Sequence, residues 1–276
     1  WDLDDPFWYP ATKQAYRTAK ILNFDITVFA PKGRGEAGTL EMVHFLKKVL
    51  EERYDGICIS PIADLRVEKL LQKMAEKGVE VIFILSAFDS VPYRTLIGTD
   101  SYQCGRSTGE AVREALGADG AVGIIKWKDN LIETVEDRYH GVVDVLKENR
   151  IPYYDMTGPG EPTAEEATKL TDRLLTEHPD ISVLCATNVG WGLAFARYLK
   201  SKGKKVKLVT VDFTDEVGEF MKAGYVDAAI AQRPESWGSM TLEKIEAVFE
   251  GQSIPKTIDT GTYPVTPANI RIYVKD

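Results

Sequence analysis

Asp212 and Gln232 are the two side chains whose types and spacing suggest recognition chemistry. The stretch VKLVTVDFTDEVGEFMKAGYVDAAIAQRP, Val206 to Pro234, opens with an apolar, β-branched run that lacks polar alternation. Such a run, Val206 to Val211, predicts a strand buried on both faces of a parallel sheet. Asp212 ends it, which puts a carboxylate just past the carboxyl end of a strand, where open α/β sheets bind their ligands. Asp215 is the expected N-cap of a helix over Glu216 to Ala223 closed by Gly224, and that leaves Asp212 free of a capping role. A second apolar run, Ala228 to Ala231, ends in Gln232. One carboxylate and one amide then stand at neighbouring strand ends. Such a pair suits a polyhydroxylated ligand, because each hydroxyl both donates and accepts a hydrogen bond.

Other candidates fall at similar junctions. Phe7, Trp8 and Tyr9 follow a break at Asp5-Pro6, where proline forces the preceding residue out of the α region. The opening reads as the tail of a strand, a turn, and an amphipathic helix carrying Ala15, Ala19 and Leu22 on one face. Three consecutive aromatics cannot all point inward from one turn, so at least one is expected to face a ligand cleft. Asn188 ends the strand SVLCATN, and Ser86 and Asp89 follow the strand VEVIFILSA. Trp127, at a strand end, and Trp191, at a helix start, read either as core or as cleft residues. Arg138 lies in the first turns of a helix over Thr134 to Asn149, where the plain reading is an exposed partner of Glu133 or Asp137.

The elements that must position these groups alternate. DITVFA is an expected strand, Ala37 to Arg53 a helix, GICISP a strand, Ala63 to Lys77 a helix and VEVIFILSA a strand. After TLIGTDSYQCGRSTGEAVREAL a second series begins with AVGIIKW. Strands alternating with helices predict an α/β fold with parallel, doubly wound sheets. At 276 residues the chain exceeds one ordinary core, so two lobes are expected, with a boundary near Asp100.

Composition narrows the function. Asp plus Glu (42) outnumber Lys plus Arg (34), and the net charge of −8 argues against nucleic acid or an anionic membrane as partner. No run approaches ~20 consecutive apolar residues, so no membrane span is expected. Trp1 is preceded by no charged and hydrophobic leader, so any signal segment or lipid anchor is either removed or absent. The three cysteines, Cys58, Cys104 and Cys185, are widely spaced, and Cys58 and Cys185 sit in apolar runs as small buried hydrophobes. His44, His140 and His178 lack metal-ligand spacing, GxGxxG is absent, and no nucleophile or phosphate loop accompanies the carboxylates. Neither a metal nor a cofactor is expected, and the chain reads as a non-enzyme.

DDPFW before a helix, YDGICISP, LIGTDSYQCGRSTGEAV, the EDRYHGV helix start, the strand-end Asn188, VTVDF, GYVDAAIAQRP and WG stand in a common order. In that order the chain resembles the type I periplasmic sugar-binding proteins, the ribose-binding group above all, over nearly its whole length. The resemblance implies two Rossmann-like lobes joined by a three-segment hinge, residues 1–100 with 233–261 and residues 101–232 with 262–276. It implies Phe7 and Trp8 as aromatics stacking on a sugar, Arg138 donating to its oxygens, and Asn188, Asp212 and Gln232 bonding its hydroxyls. Ser86 and Ala87 stand where ribose-like members carry Asp-Arg or Asn-Thr-Asp, with Asp89 taking that role from two residues on, while Trp127 and Trp191 add bulk near the cleft. The implied function is an extracytoplasmic, periplasmic or membrane-anchored receptor that closes around a pentose, hexose or polyol. Its implied partner is an ABC transporter permease or a membrane sensor histidine kinase in chemoreception or two-component sensing. The alternative it implies is the effector core of a lactose-repressor-like regulator without its DNA-binding head.

Overall fold

The structure, a computed structural model, describes residues 7–33, 35–117, 119–128, 133–160 and 162–273. In chain order the first elements are α1 (Tyr9–Leu22), α2 (Gly35–Glu51), β1 (Gly56–Ile59), α3 (Leu65–Glu76), β2 (Glu80–Ile84), β3 (Thr95–Gly98) and α4 (Ser101–Leu116). Next come β4 (Ala121–Trp127), α5 (Glu133–Glu148), β5 (Tyr153–Gly158), α6 (Ala164–Glu177), β6 (Ile181–Ala186) and α7 (Val189–Lys202). The last are β7 (Lys207–Val211), α8 (Asp215–Lys222), β8 (Ala228–Ala231), α9 (Pro234–Phe249), β9 (Thr257–Asp259) and β10 (Tyr263–Val265). The chain divides into two units, Trp1–Thr99 with Arg233–Gly261 and Asp100–Gln232 with Thr262–Asp276. No described helix is long and apolar enough to cross a membrane.

Unit 1 is built on a parallel sheet in the order β1-β2-β3-β9. Its strand residues alternate between two cores, as a period of two requires: Val81 and Phe83 pack with α2 and α3, and Ile82 with α1 and α9. Asp64 caps α3 by accepting from the Arg66 amide, and its carboxylate also pairs with the Arg66 guanidinium, which ties it to the helix start. At Gly238 of α9 a Cβ would lie 1.9 Å from the Ala11 carbonyl, so the α1–α9 approach requires glycine.

One expected strand is missing from this sheet. Asp25–Ala30 carries the composition of a buried strand, but among the described residues it pairs with no strand and Ile26–Ala30 makes no backbone hydrogen bond. The strand tail expected ahead of Pro6 lies outside the described residues.

Unit 2 carries a larger sheet in the order β10-β8-β7-β6-β4-β5, parallel throughout except for β10. Val183, Cys185 and Val209 face one core, and Leu184, Ala186 and Leu208 the other, which accounts for runs that are apolar without alternation. From β4 the chain goes to β5 on one side and to β6 on the other, so the sheet reverses its winding between β4 and β6. α4 and α5 cross closely, because Gly105 sits against the Arg138 backbone and Gly141 against the Tyr102 carbonyl.

Candidate functional site

Four strand ends of unit 2 meet in sheet order: Gln232 after β8, Asp212 after β7, Thr187 and Asn188 after β6, and Trp127 closing β4. All lie on the carboxyl edge of the parallel strands, and the β4/β6 neighbourhood is the winding reversal, the place where open α/β sheets hold ligands.

Asp212 is 5 % exposed, and its backbone is left-handed at φ 71°. Aspartate tolerates that conformation better than most residues, and it turns the chain sharply out of β7. The Asp212 amide donates to the Ile230 carbonyl, and its Oδ1 accepts from Gln232 Nε2 at 2.7 Å. The amide orientation of Gln232 is thereby set, which leaves its Oε1 buried without a hydrogen-bond partner. Thr214, and not Asp215, caps α8 by accepting from the Val217 amide. A threonine two residues past Asp212 reaches the third helical amide, whereas Asp215 is already the first helical residue.

Arg138 departs from its plain reading. It is 5 % exposed, and Nη1 donates to the Thr187 carbonyl at 3.3 Å, while Nε is buried without a hydrogen-bond partner. A guanidinium kept from water with a donor unsatisfied costs free energy unless another group supplies the acceptor. Next to it, burial holds the Asp137 carboxyl above its ordinary range, although His140 and Arg138 oppose the shift. Asn188 caps α7: its Oδ1 accepts from the Trp191 amide at 3.1 Å, which leaves the side-chain NH2 outside that bond. Thr210 Oγ1 donates toward the Asn188 carbonyl at 3.4 Å.

The two tryptophans separate. Trp191 is a core residue, 1 % exposed, with its indole N–H given to the Pro159 carbonyl at 2.9 Å. Trp127 is half-buried at the end of β4, packs over Gly160, and its Nε1 is buried with no partner among the described residues.

In unit 1, Phe7 and Trp8 are half-buried and packed around Trp237, Phe7 edge-on and Trp8 tilted, with ring centroids 5.7 and 5.6 Å from it. Trp237 is fully buried and donates its indole N–H to Thr260 Oγ1 at 2.9 Å. Ser86 is half-buried after β2, next to Leu85, whose φ is 66°, and Asp89 is exposed in the following turn. Sequence reasoning missed Trp237, which entered only in the WG that follows GYVDAAIAQRP. It also missed Thr187, whose contribution is a backbone carbonyl that no side-chain pattern marks.

Among the described residues no group of three His, Cys, Asp or Glu side chains is placed to hold a metal ion. No disulfide joins the described cysteines, and burial pushes Cys58 and Cys185 up to about 12, so both are inert thiols at neutral pH.

Residues 1–253 match the model of a family described as the periplasmic binding protein domain. The chain belongs to that family. It is a type I periplasmic binding protein in its parallel, doubly wound α/β sheets as well as in its sequence. Among the curated relatives, the ribose import binding protein RbsB of Bacillus subtilis is 20 % identical over 93 % of this chain and 82 % of its own length. RbsB of Haemophilus influenzae is 25 % identical over 93 % and 86 %. Among solved structures, an ABC transporter solute-binding protein from Burkholderia graminis, in complex with D-arabinose, aligns with a TM-score of 0.87 and 23 % identity over 99 % of this chain and 95 % of that one. One from Actinobacillus succinogenes, with bound D-allose, gives 0.87 and 20 % over 99 % and 97 %. A LacI-type transcriptional regulator from Bacteroides fragilis also aligns, at 0.84 and 18 % over 99 % and 96 %.

Proposed function

We propose that this periplasmic binding protein is an extracytoplasmic receptor for a monosaccharide or polyol, which it binds without turnover and delivers to an ABC transporter permease. The observation that carries the reading is the buried polar set of unit 2. Arg138 Nε and Trp127 Nε1 are donors, and Gln232 Oε1 is an acceptor, all held out of water without a partner among the described residues. A neutral ligand rich in hydroxyls satisfies donors and acceptors together, whereas an anion would leave Gln232 Oε1 unmet and face Asp212. Arg138 and Asp212 would supply charge-assisted bonds, the Asn188 NH2 a further donor, and Phe7 and Trp8 apolar ring faces. The relatives named as ribose import binding proteins support the sugar class and the transport role.

The chain passes between its units beside Asp100, Gln232 and Gly261, and these crossings are the proposed hinge between lobes 1–100 with 233–261 and 101–232 with 262–276. Gln232, bonded to Asp212, stands directly at one of them, so a ligand on this pair acts where the backbone would bend. Calorimetric titration with ribose, arabinose, allose, tagatose, galactose, glucose and ribitol tests the proposal. Saturable 1:1 binding of at least one, with the sugar recovered unchanged, is expected; heat from none of them would overturn it.

The likeness to a LacI-type regulator favours a second reading, the effector core of a transcription regulator. The coding sequence upstream of Trp1 separates the two, since a leader or lipid-attachment signal fits the receptor and a basic helical headpiece fits the regulator.

A further inference from the structure

Thr210 is the one polar residue in the buried stretch Leu208–Val211 of β7, and it is fully buried. It follows Leu208 by two positions, so it stands on the face of the sheet where Leu184, Ala186 and Leu208 join an apolar core with α7. A hydroxyl there costs free energy unless it is hydrogen-bonded, and a valine would fill nearly the same volume.

Its bonds reach two strand exits of the site. Thr210 Oγ1 donates to the Val211 carbonyl at 2.9 Å and leans toward the Asn188 carbonyl at 3.4 Å. The hydroxyl has a single proton, so the nearer carbonyl holds the larger share of it. That carbonyl belongs to the peptide leading into Asp212, and the amide of the same peptide donates to the Ile230 carbonyl of β8 at 2.9 Å. The peptide is gripped at both ends. Its orientation fixes the left-handed turn, φ 71°, that carries the Asp212 carboxylate. On the other side, the Asn188 carbonyl accepts the Gly192 amide at 3.1 Å in the first turn of α7. The hydroxyl thus lies behind the backbone of both Asp212 and Asn188.

Gly192 makes room for it. A Cβ at Gly192 would lie 2.1 Å from Thr210 Oγ1 and 2.8 Å from Thr210 Cβ. Glycine weakens a helix interior relative to alanine, and Gly192 has no positive φ to require it. Space for the Thr210 side chain is what the glycine supplies.

We propose that Thr210 is a positioning residue of the binding site: its hydroxyl sets the backbone that carries Asp212 and Asn188, and with it the spacing of carboxylate and amide that a polyhydroxylated ligand meets. The inference rests on the receptor reading above, and Thr210 acts through its neighbours without touching the ligand.

Two variants of the full chain test it. Thr210→Val keeps the shape and β-branching but removes the hydroxyl, and Thr210→Ser keeps the hydroxyl but removes the methyl group. Both should unfold earlier in urea, so a role in packing alone would weaken binding in both or in neither. Titration with the sugar that the parent protein binds best should show affinity about 10-fold lower in Thr210→Val and within about 2-fold of the parent in Thr210→Ser. Without sugar, the Asp212 and Gly192 amides should exchange about 10-fold faster in the valine form and at the parent rate in the serine form. Parent affinity in Thr210→Val, equal losses in the two variants, or unchanged exchange at Asp212 in the valine form would overturn the proposal. If the parent protein binds no sugar, the receptor reading falls by itself, and the ligand-free exchange still decides whether Thr210 holds this backbone.

Discussion

Both units leave a parallel strand through a residue in the left-handed region, Leu85 after β2 at φ 66° and Asp212 after β7 at φ 71°. In unit 2 the residue is an aspartate, which tolerates that backbone, and the turn is pinned by its bond to Gln232. In unit 1 it is a leucine, for which the conformation is strained, and the turn is held by the Leu85 amide on Ile97 and the Ser86 amide on Ile84. One turn thus delivers a buried carboxylate, and the other a half-buried hydroxyl and an exposed Asp89. The difference teaches that equivalent backbone exits carry unequal chemistry: unit 2 buries the carboxylate of Asp212 against Gln232, and unit 1 leaves Asp89 exposed.

The largest expected effect breaks this asymmetry. Asp212→Ala should weaken sugar binding on the order of 100-fold, since it removes a charged acceptor and strands Gln232 Nε2, whereas Asp89→Ala in unit 1 should change affinity less than about 3-fold. Paired titrations of the two variants check it, and equal losses would remove the distinction.

Gly105→Ala comes next. Its new Cβ would lie 2.1 Å from the Arg138 carbonyl, so α4 and α5 must separate, and unit 2 should lose about 1–3 kcal/mol in urea unfolding. Gly78→Ala in unit 1, with nothing within 4 Å but a φ of 84°, should cost about 1 kcal/mol or less, from backbone strain alone.

Trp127→Phe removes a buried N–H without emptying the ring's place. Affinity should fall about 5- to 10-fold with unfolding nearly unchanged, because the unliganded protein gives that donor no partner to lose.

The smallest effect is the acid response. The hydrogen bond from Arg94 holds Glu80 of unit 1 below its ordinary 4.5, so its contribution is present above that value and is lost as pH falls through the lowered one. Burial raises Asp137 of unit 2 above 3.8, so its contribution is present at lower pH and is lost as pH rises through the raised value. Glu80→Gln and Asp137→Asn should therefore tilt the acid side of the stability–pH curve in opposite directions, readable by thermal melts.

Much of this was legible in the sequence. The strands ending at Val211 and Ala231 and the polar residues that follow them were readable, because a strand buried on both faces is apolar without alternation and stops abruptly. Asn188 was readable as a strand end, though not as the cap of α7, since capping depends on a backbone turn that composition only suggests. The cap of α8 fell one residue early, on Thr214, because Thr and Asp both serve and only geometry selects between them. Arg138 was misread in its local context: neighbours in sequence are acidic, but the side chain turns inward to a carbonyl 49 positions away. Asp25–Ala30 failed for a different reason. Its residues have the right preference, but a strand exists only through a partner, and none of the described chain provides one.

Trp237 carries a practical consequence. Its ring is wedged among Phe7 and Trp8, and its N–H is fastened to Thr260, one residue before the Gly261 crossing. An indole so enclosed emits at short wavelength, and any shift of Thr260 would loosen its only donor bond. With the other four tryptophans replaced by phenylalanine, light emission from this ring would then register movement of the backbone at that crossing without an attached dye.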